Sequence, residues 1–111
     1  MANAAKTRGD RAERELAALL HDLLGVNARR KLGAGRLDDE GDIDGVPDTT
    51  VQVADWQNVA SAVRTKPVDC EIQQARAGST FGVSAIRLRG GDWRFVMTPQ
   101  QFATLWREAT A

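Results

Sequence analysis

The stretch GDIDGVPDTTVQVA, residues 41–54, decides the fold because it contains two short strand patterns separated by turn residues. Residues 42–44 predict a short strand, and residues 45–48 (Gly-Val-Pro-Asp) predict a turn. Residues 51–54 alternate apolar and polar side chains, as a half-buried strand does. The stretch therefore predicts two consecutive strands joined by a tight turn.

Helix signals lie on both sides of this stretch. Leucines with helical spacing predict a first helix, with Thr7 as its N-cap and Gly25 as its end. Pro67 favours the start of a separate helical piece, because proline suits a first helical turn. Thr98 and Pro99 mark the start of a last helix. The predicted elements are helix 8–24, strands 26–32, 42–44 and 51–54, a helical region after Trp56 with a separate helix over about 68–77, strands 81–88 and 93–97, and helix 99–108.

This α-β-β-β-α-β-β-α order predicts an α/β or α+β sandwich, with helices packed against a mixed sheet. The 111 residues suffice for one domain, which we place at residues 7–111 after a flexible N-terminus at 1–6. No apolar run approaches the roughly 20 residues of a membrane span. The absence of a secretory signal pattern and the single Cys70 predict a cytoplasmic protein. A core this small makes dimerisation reasonable.

Charges are segregated along the chain although the net charge is zero. Residues 6–36 contain eight basic and four acidic residues, and residues 38–48 contain six acidic residues and no basic one. Two interpretations are open, a solvated mixed surface or a phosphate-binding rim around a carboxylate metal site. One histidine and one cysteine make a zinc site implausible, so a metal would bind carboxylates and be Mg²⁺ or Mn²⁺.

Glu13 lies on the apolar stripe of the first helix, three residues before Leu16 and seven before Leu20. An inward-facing carboxylate needs a cation, which could be a metal ion or the guanidinium of Arg29 or Arg30. Asp42 is the second candidate ligand, since adjacent strands could bring it beside the amide oxygen of Gln52.

Five motifs over residues 7–56 form a larger pattern. They are TRGDRAEREL (7–16), Arg29-Arg30, Gly33 with Gly35, Gly41-Asp42-Ile43 and Val51-Gln52-Val53-Ala54. This pattern resembles the PD-(D/E)xK nuclease superfamily, and within it the archaeal-type Holliday junction resolvases and small phage-encoded resolvase-like endonucleases. The resemblance implies a restriction-endonuclease-like core and a homodimer that places two symmetric nicks in a four-way DNA junction. It also implies the cytoplasm, or the host cytoplasm if the chain is phage-encoded.

By this resemblance, a Mg²⁺ ion, with Mn²⁺ as a substitute, would bind Glu13, Asp42, Gln52 and the backbone carbonyl of Val53. Two positions depart from the family pattern. Gln52 replaces an acidic ligand, which lowers the expected metal affinity. Ala54 replaces a lysine that positions the attacking water and stabilises phosphate charge.

Three explanations for Ala54 remain open. Lys66 or Lys31 could supply the missing cation, the domain could bind DNA without cleaving it, or Ala54 could be an engineered inactivating change. The functional classes are therefore a structure-selective DNA endonuclease, a catalytically silent DNA-binding module of the same fold and, as a weaker third, a protein-interaction domain.

The basic residues of the first half of the chain are candidates for phosphate contacts, because guanidinium groups bind phosphate oxygens bidentately. The three tryptophans could stack on splayed bases or pack in the core or a dimer interface. The candidate DNA-binding residues are Arg8, Arg11, Arg29, Arg30, Lys31 and Arg36.

Overall fold

The computed structural model describes residues 4–31 and 41–111, and over these ranges the chain has an α+β fold. The predicted order of elements is confirmed. The elements are α1 (Ala4–Leu24), β1 (Arg29–Arg30), β2 (Ile43–Asp44), β3 (Thr49–Ala54), α2 (Val59–Ala77), β4 (Phe81–Arg87), β5 (Trp93–Val96) and α3 (Pro99–Ala109). In the described ranges, no helix is both long enough and apolar enough to cross a membrane.

Helix α1 buries Leu16 and Leu20 and ends where predicted, at Gly25, whose φ is 70°. The prediction that Thr7 caps its N-terminus is wrong, because the helix begins at Ala4. The first turn of the helix therefore lies before Thr7. It is favoured by the high helix propensity of alanine and by the Lys6–Asp10 ion pair, which spans one turn at 2.9 Å.

Helix α2 is a single helix of 19 residues with Pro67 in its interior, so the predicted separate helix beginning near residue 68 is wrong. The φ of proline fits a helix, and the cost is one lost backbone hydrogen bond and crowding of the preceding turn. Packing on the sheet offsets this cost, since Pro67 is buried. Asn58 caps the N-terminus through Ser61 N, and Gly78 ends the helix with a φ of 70°.

The strands form a mixed three-stranded sheet and a small two-stranded one. Strand β4 pairs in parallel with β3 and antiparallel with β5, in the order β3-β4-β5. Strands β1 and β2 form the second, antiparallel sheet. The predicted strand over 26–32 is too long, because the ladder with β2 extends over two residues only. Leu32, Gly33 and Gly35 lie outside the described residues.

The two faces of the larger sheet pack in different ways. Towards α1 the contacts are apolar, and Val51, Val53 and Ala85 form one cluster with the buried leucines of α1. Towards α2, a small apolar cluster of Ala54, Ala62 and Ile86 lies beside buried polar residues. These polar residues are Thr50, Gln52, Gln73 and Ser84.

Gly45 has a φ of 95° and lies against the backbone of Asn27, whose carbonyl oxygen an added Cβ would overlap. We expect Gly45→Ala to lower the free energy of unfolding by about 3 kcal/mol or more, because backbone strain and overlap add. Gly90→Ala is the matched control, since Gly90 has a φ of 94° and open space around it. Its expected cost is about 1 kcal/mol. Equal costs in urea unfolding would show that the contact with Asn27 is unimportant.

Candidate functional site

Asp42 is fixed between the two sheets by its own backbone and side chain. Its N–H donates to the carbonyl oxygen of Val51 at 2.8 Å, and its carbonyl accepts from Lys31 N at 2.9 Å. Its carboxylate Oδ2 accepts from Val53 N at 2.8 Å. Asp42 therefore holds a defined position at the edge of β3 that β4 does not occupy.

Val53 directs its backbone carbonyl to the same edge. The N–H and C=O of a residue in a strand point to the same side, and the N–H of Val53 points to Asp42. The carboxylate of Asp42 and the carbonyl of Val53, two of the predicted metal ligands, thus lie on one edge of the sheet.

Glu13 lies on α1 close to Asp42 and is half-buried. Its carboxylate accepts from Arg30 Nε at 3.2 Å, and Arg30 Nη2 contacts Asp10 Oδ1 at 2.8 Å. Burial and the neighbouring charge of Asp42 raise the pKa of Glu13 above its usual value, and Arg30 partly offsets this effect. The sequence left two kinds of cation open for Glu13, a metal ion or an arginine. The cation that contacts Glu13 in the structure is the guanidinium of Arg30.

Gln52 lies on the other face of β3, towards α2, and is 1% exposed. Its amide Nε2 donates to Gln73 Oε1, which orients the Oε1 atom of Gln52 towards Lys66. Lys66 Nζ donates to that oxygen at 3.1 Å. The structure thus separates the predicted ligands into an edge group (Glu13, Asp42 and the carbonyl of Val53) and Gln52, which forms a glutamine–lysine group with Lys66 between β3 and α2.

Ala54 is 2% exposed and packs against Ala62 and Ile86. A longer side chain at this position would have to displace these neighbours. The amine nearest to Gln52 among the described side-chain contacts comes instead from Lys66, one of the two substitutes that the sequence suggested for the missing lysine.

The edge group offers two carboxylates and a backbone carbonyl, which are hard oxygen donors suited to Mg²⁺ or Mn²⁺. In residues 4–31 and 41–111, no cluster of three or more His, Cys, Asp or Glu side chains is placed to hold a metal. Two carboxylates and one carbonyl could supply three ligands to an ion that keeps several of its own water molecules, as Mg²⁺ does.

The predicted phosphate contacts lie in two places. Arg8 and Arg11 line one cleft together with Arg87 and Arg89. Arg29 and Arg30 line another surface, on the opposite flank of α1. Lys31 follows β1 and donates its backbone N–H to the carbonyl of Asp42. Arg36 lies outside the described residues.

One contributor, Asp55, was not predicted as a site residue from the sequence. It directly follows β3 and contacts Arg87 at 3.9 Å, and an acidic residue at the end of a strand was the available signal. Gln73, which a sequence of adjacent glutamines on α2 suggested could reach the site, orients Gln52. Comparison with protein-family models, with curated proteins and with solved structures gives no match to this chain.

The pH dependence of stability separates Glu13 from its neighbour Glu15. A raised pKa means that Glu13 favours the folded state when protonated, and this contribution is lost as the pH rises through its folded-state pKa. In metal-free protein we therefore expect Glu13→Gln to gain stability relative to the wild type as the pH rises from below 4.5. Urea unfolding over a pH series measures this difference.

Glu15→Gln is the matched control with the opposite sign. The hydrogen bond from the Trp93 indole, together with Arg87, lowers the pKa of Glu15, so its contribution is present at high pH and lost as the pH falls. This variant should lose stability relative to the wild type over the same rise in pH. If the stability of both variants relative to the wild type changed in the same direction with pH, the opposite pKa shifts assigned to Glu13 and Glu15 would be contradicted.

Ala54→Lys tests whether position 54 can accept the lysine that the motif resemblance implies. Burying the longer, charged side chain against Ala62 and Ile86 should lower the free energy of unfolding by about 2–4 kcal/mol. Ala75→Lys, at an exposed position of α2, should change it by no more than about 0.5 kcal/mol. An Ala54→Lys variant as stable as the wild type in thermal or urea unfolding would show that the surrounding residues can move to accept the longer side chain.

Proposed function

We propose that this protein is a metal-dependent, structure-selective endonuclease that hydrolyses phosphodiester bonds in branched DNA, with the four-way junction as the leading substrate. The observation that carries the proposal is the edge group, in which Glu13 and Asp42 approach each other beside the carbonyl of Val53. Close carboxylates repel each other, and a divalent cation between them relieves the repulsion. The motif resemblance supports the same activity.

In this proposal, the two carboxylates are held in fixed positions before the substrate binds. Asp42 is fixed by backbone hydrogen bonds and Glu13 by Arg30. When bound, Mg²⁺ or Mn²⁺ would lower the pKa of a water molecule and neutralise charge on the scissile phosphate. Glu13 and Asp42 would hold the metal, and Arg30, which contacts Glu13 and Asp10, would orient the Glu13 carboxylate.

Lys66 takes the place of the missing lysine in this scheme. Its ammonium is half-buried and held by Gln52 Oε1, at 3.1 Å. An ammonium in a partly buried position stabilises developing phosphate charge more strongly than one in open water. Gln73 fixes the orientation of the Gln52 amide and so acts as a positioning residue.

A second candidate function is DNA binding without cleavage. Two observations favour it: Ala54 is closed into an apolar cluster, and Gln52 is uncharged and engaged with two partners. The basic clefts would then bind the DNA backbone alone.

We also propose a homodimer. Three residues of α3 at helical spacing, Phe102, Leu105 and Trp106, are exposed, and Phe95 of β5 is exposed as well. Apolar side chains grouped in this way are typical of an interaction surface.

Incubation with labelled four-way junction, flap and linear duplex DNA tests the activity. With Mg²⁺ or Mn²⁺ we expect nicks in the branched substrates, and none in EDTA. Glu13→Gln and Asp42→Asn remove the two charges, preserve the side-chain shapes and should abolish the nicks. Lys66→Ala should lower the nicking rate about 100-fold, the usual effect of losing one group that stabilises transition-state charge.

Asp44→Asn and Arg64→Ala are the controls for these variants, because Asp44 neighbours Asp42 in the chain and Arg64 is an exposed cation of α2. Both should nick as the wild type does. Junctions that bind but stay uncut with every metal would favour the silent module, and nicking that survives Asp42→Asn would refute the assignment of the site.

A further inference from the structure

A polar cleft of about 270 Å³ opens at the C-terminal ends of β3 and β4, beside the first turns of α1. Ends of parallel strands are frequent ligand sites in α/β proteins. The volume is below the roughly 300–1,000 Å³ of pockets for drug-sized ligands, so it suits a small unit. Its lining includes Arg8, Arg11, Asp55, Trp56, Arg87 and Arg89.

The single carboxylate of this lining is already balanced within the protein. Asp55 contacts Arg87 at 3.9 Å, and Arg87 also contacts Glu15 at 3.2 Å. Arg87 is thus engaged with two carboxylates, and the other arginines of the cleft determine its charge.

Three arginines give the cleft a surplus of positive charge. In the part of the chain that the structure describes, no carboxylate lies within 4.0 Å of Arg8, Arg11 or Arg89 as an ion-pair partner. The Nε atom of Arg8 is buried and has no hydrogen-bond partner among the described residues. Buried guanidinium donors need an acceptor, and a phosphate oxygen is one with which a guanidinium forms bidentate hydrogen bonds.

Trp56 adds an aromatic surface to the same cleft. It is 38% exposed, and Lys66 Nζ lies over its ring, 5.5 Å from the centroid. Lys66 in turn contacts Gln52, so the cleft adjoins the glutamine–lysine group of the proposed active site. An indole next to arginines is the combination with which proteins hold an unpaired base and its phosphate.

We propose that this cleft binds one unpaired nucleotide of a DNA strand, with its phosphate on Arg8, Arg11 and Arg89 and its base stacked on Trp56. The inference rests on the proposed nuclease function and narrows its substrate class from branched DNA, the fully paired four-way junction included, to branched DNA with an unpaired nucleotide next to the branch, such as a flap. A fully paired duplex cannot place a base against the indole without opening a base pair.

The test is equilibrium binding in EDTA, where no metal-dependent cleavage occurs, measured by fluorescence anisotropy of labelled DNA. The two probes are a blunt duplex and the same duplex with a short single-stranded oligothymidine overhang. The wild type should bind the overhang probe about tenfold more tightly, the usual effect of one base stacked on an aromatic side chain. Trp56→Leu should abolish this preference and Trp56→Phe should preserve it.

Charge variants test the phosphate contact separately. Arg11→Ala should reduce the slope of log affinity against log salt concentration by about 0.7 for the overhang probe, as loss of one phosphate contact to a single strand does. Arg76→Ala removes an exposed arginine from the end of α2, outside the cleft, and should leave the slope unchanged.

The outcomes for the cleft and for the nuclease are distinguishable. Equal affinity for the two probes, or a preference that persists in Trp56→Leu, would overturn the cleft proposal, even if paired junctions are nicked. A preference that depends on Trp56, in a protein that cuts no substrate with any metal, would support the cleft and overturn the nuclease.

Discussion

The bonds of Asp42 join the parts of this small fold. Without them, the N–H of Val53 and the carbonyl of Val51 at the outer edge of β3 would lose these partners, and the two-stranded sheet would lose these hydrogen bonds to the larger one. The N–H, the carbonyl and the carboxylate of Asp42 each hold a different backbone group, on Val51, Lys31 and Val53. The residue that stabilises the sheet edge is thus also the acidic group of the proposed site, so structure and chemistry constrain the same side chain.

The charges around Glu13 act as a group. Asp10 and Glu13 share the guanidinium of Arg30, Asp10 also pairs with Lys6, and Asp42 lies near Glu13. The pKa of Glu13 stays raised despite its ion pair with Arg30, because burial and the charge of Asp42 outweigh the effect of the guanidinium. A divalent cation at this edge would stabilise the charged form of Glu13, and this effect is the physical basis of the metal proposal.

The sequence predicted the parts of the fold that local chemistry determines. Leucine spacing gave α1, and Thr98 with Gln101 forms the capping box that begins α3. The prediction of two helical pieces was wrong, because proline's preference for a first helical turn is outweighed by packing. Pro67 lies inside a helix that packs on the sheet. The pairing of Lys66 with Gln52 depends on how α2 is positioned along β3, through the close approach of Ala62 and Ala54, and no sequence spacing encodes that register.

The two faces of the sheet respond differently to sequence change. Apolar contacts on the α1 face have no direction, so residues of similar volume can replace one another there. Hydrogen bonds on the α2 face join specific atoms, as between Gln52 and Gln73, and a change in one partner leaves the other unsatisfied. Divergent descendants of this chain should therefore vary freely at the apolar positions of α1 that face the sheet, and change at the buried polar positions of α2 only in compensating pairs, so covariation rather than identity would trace their ancestry there.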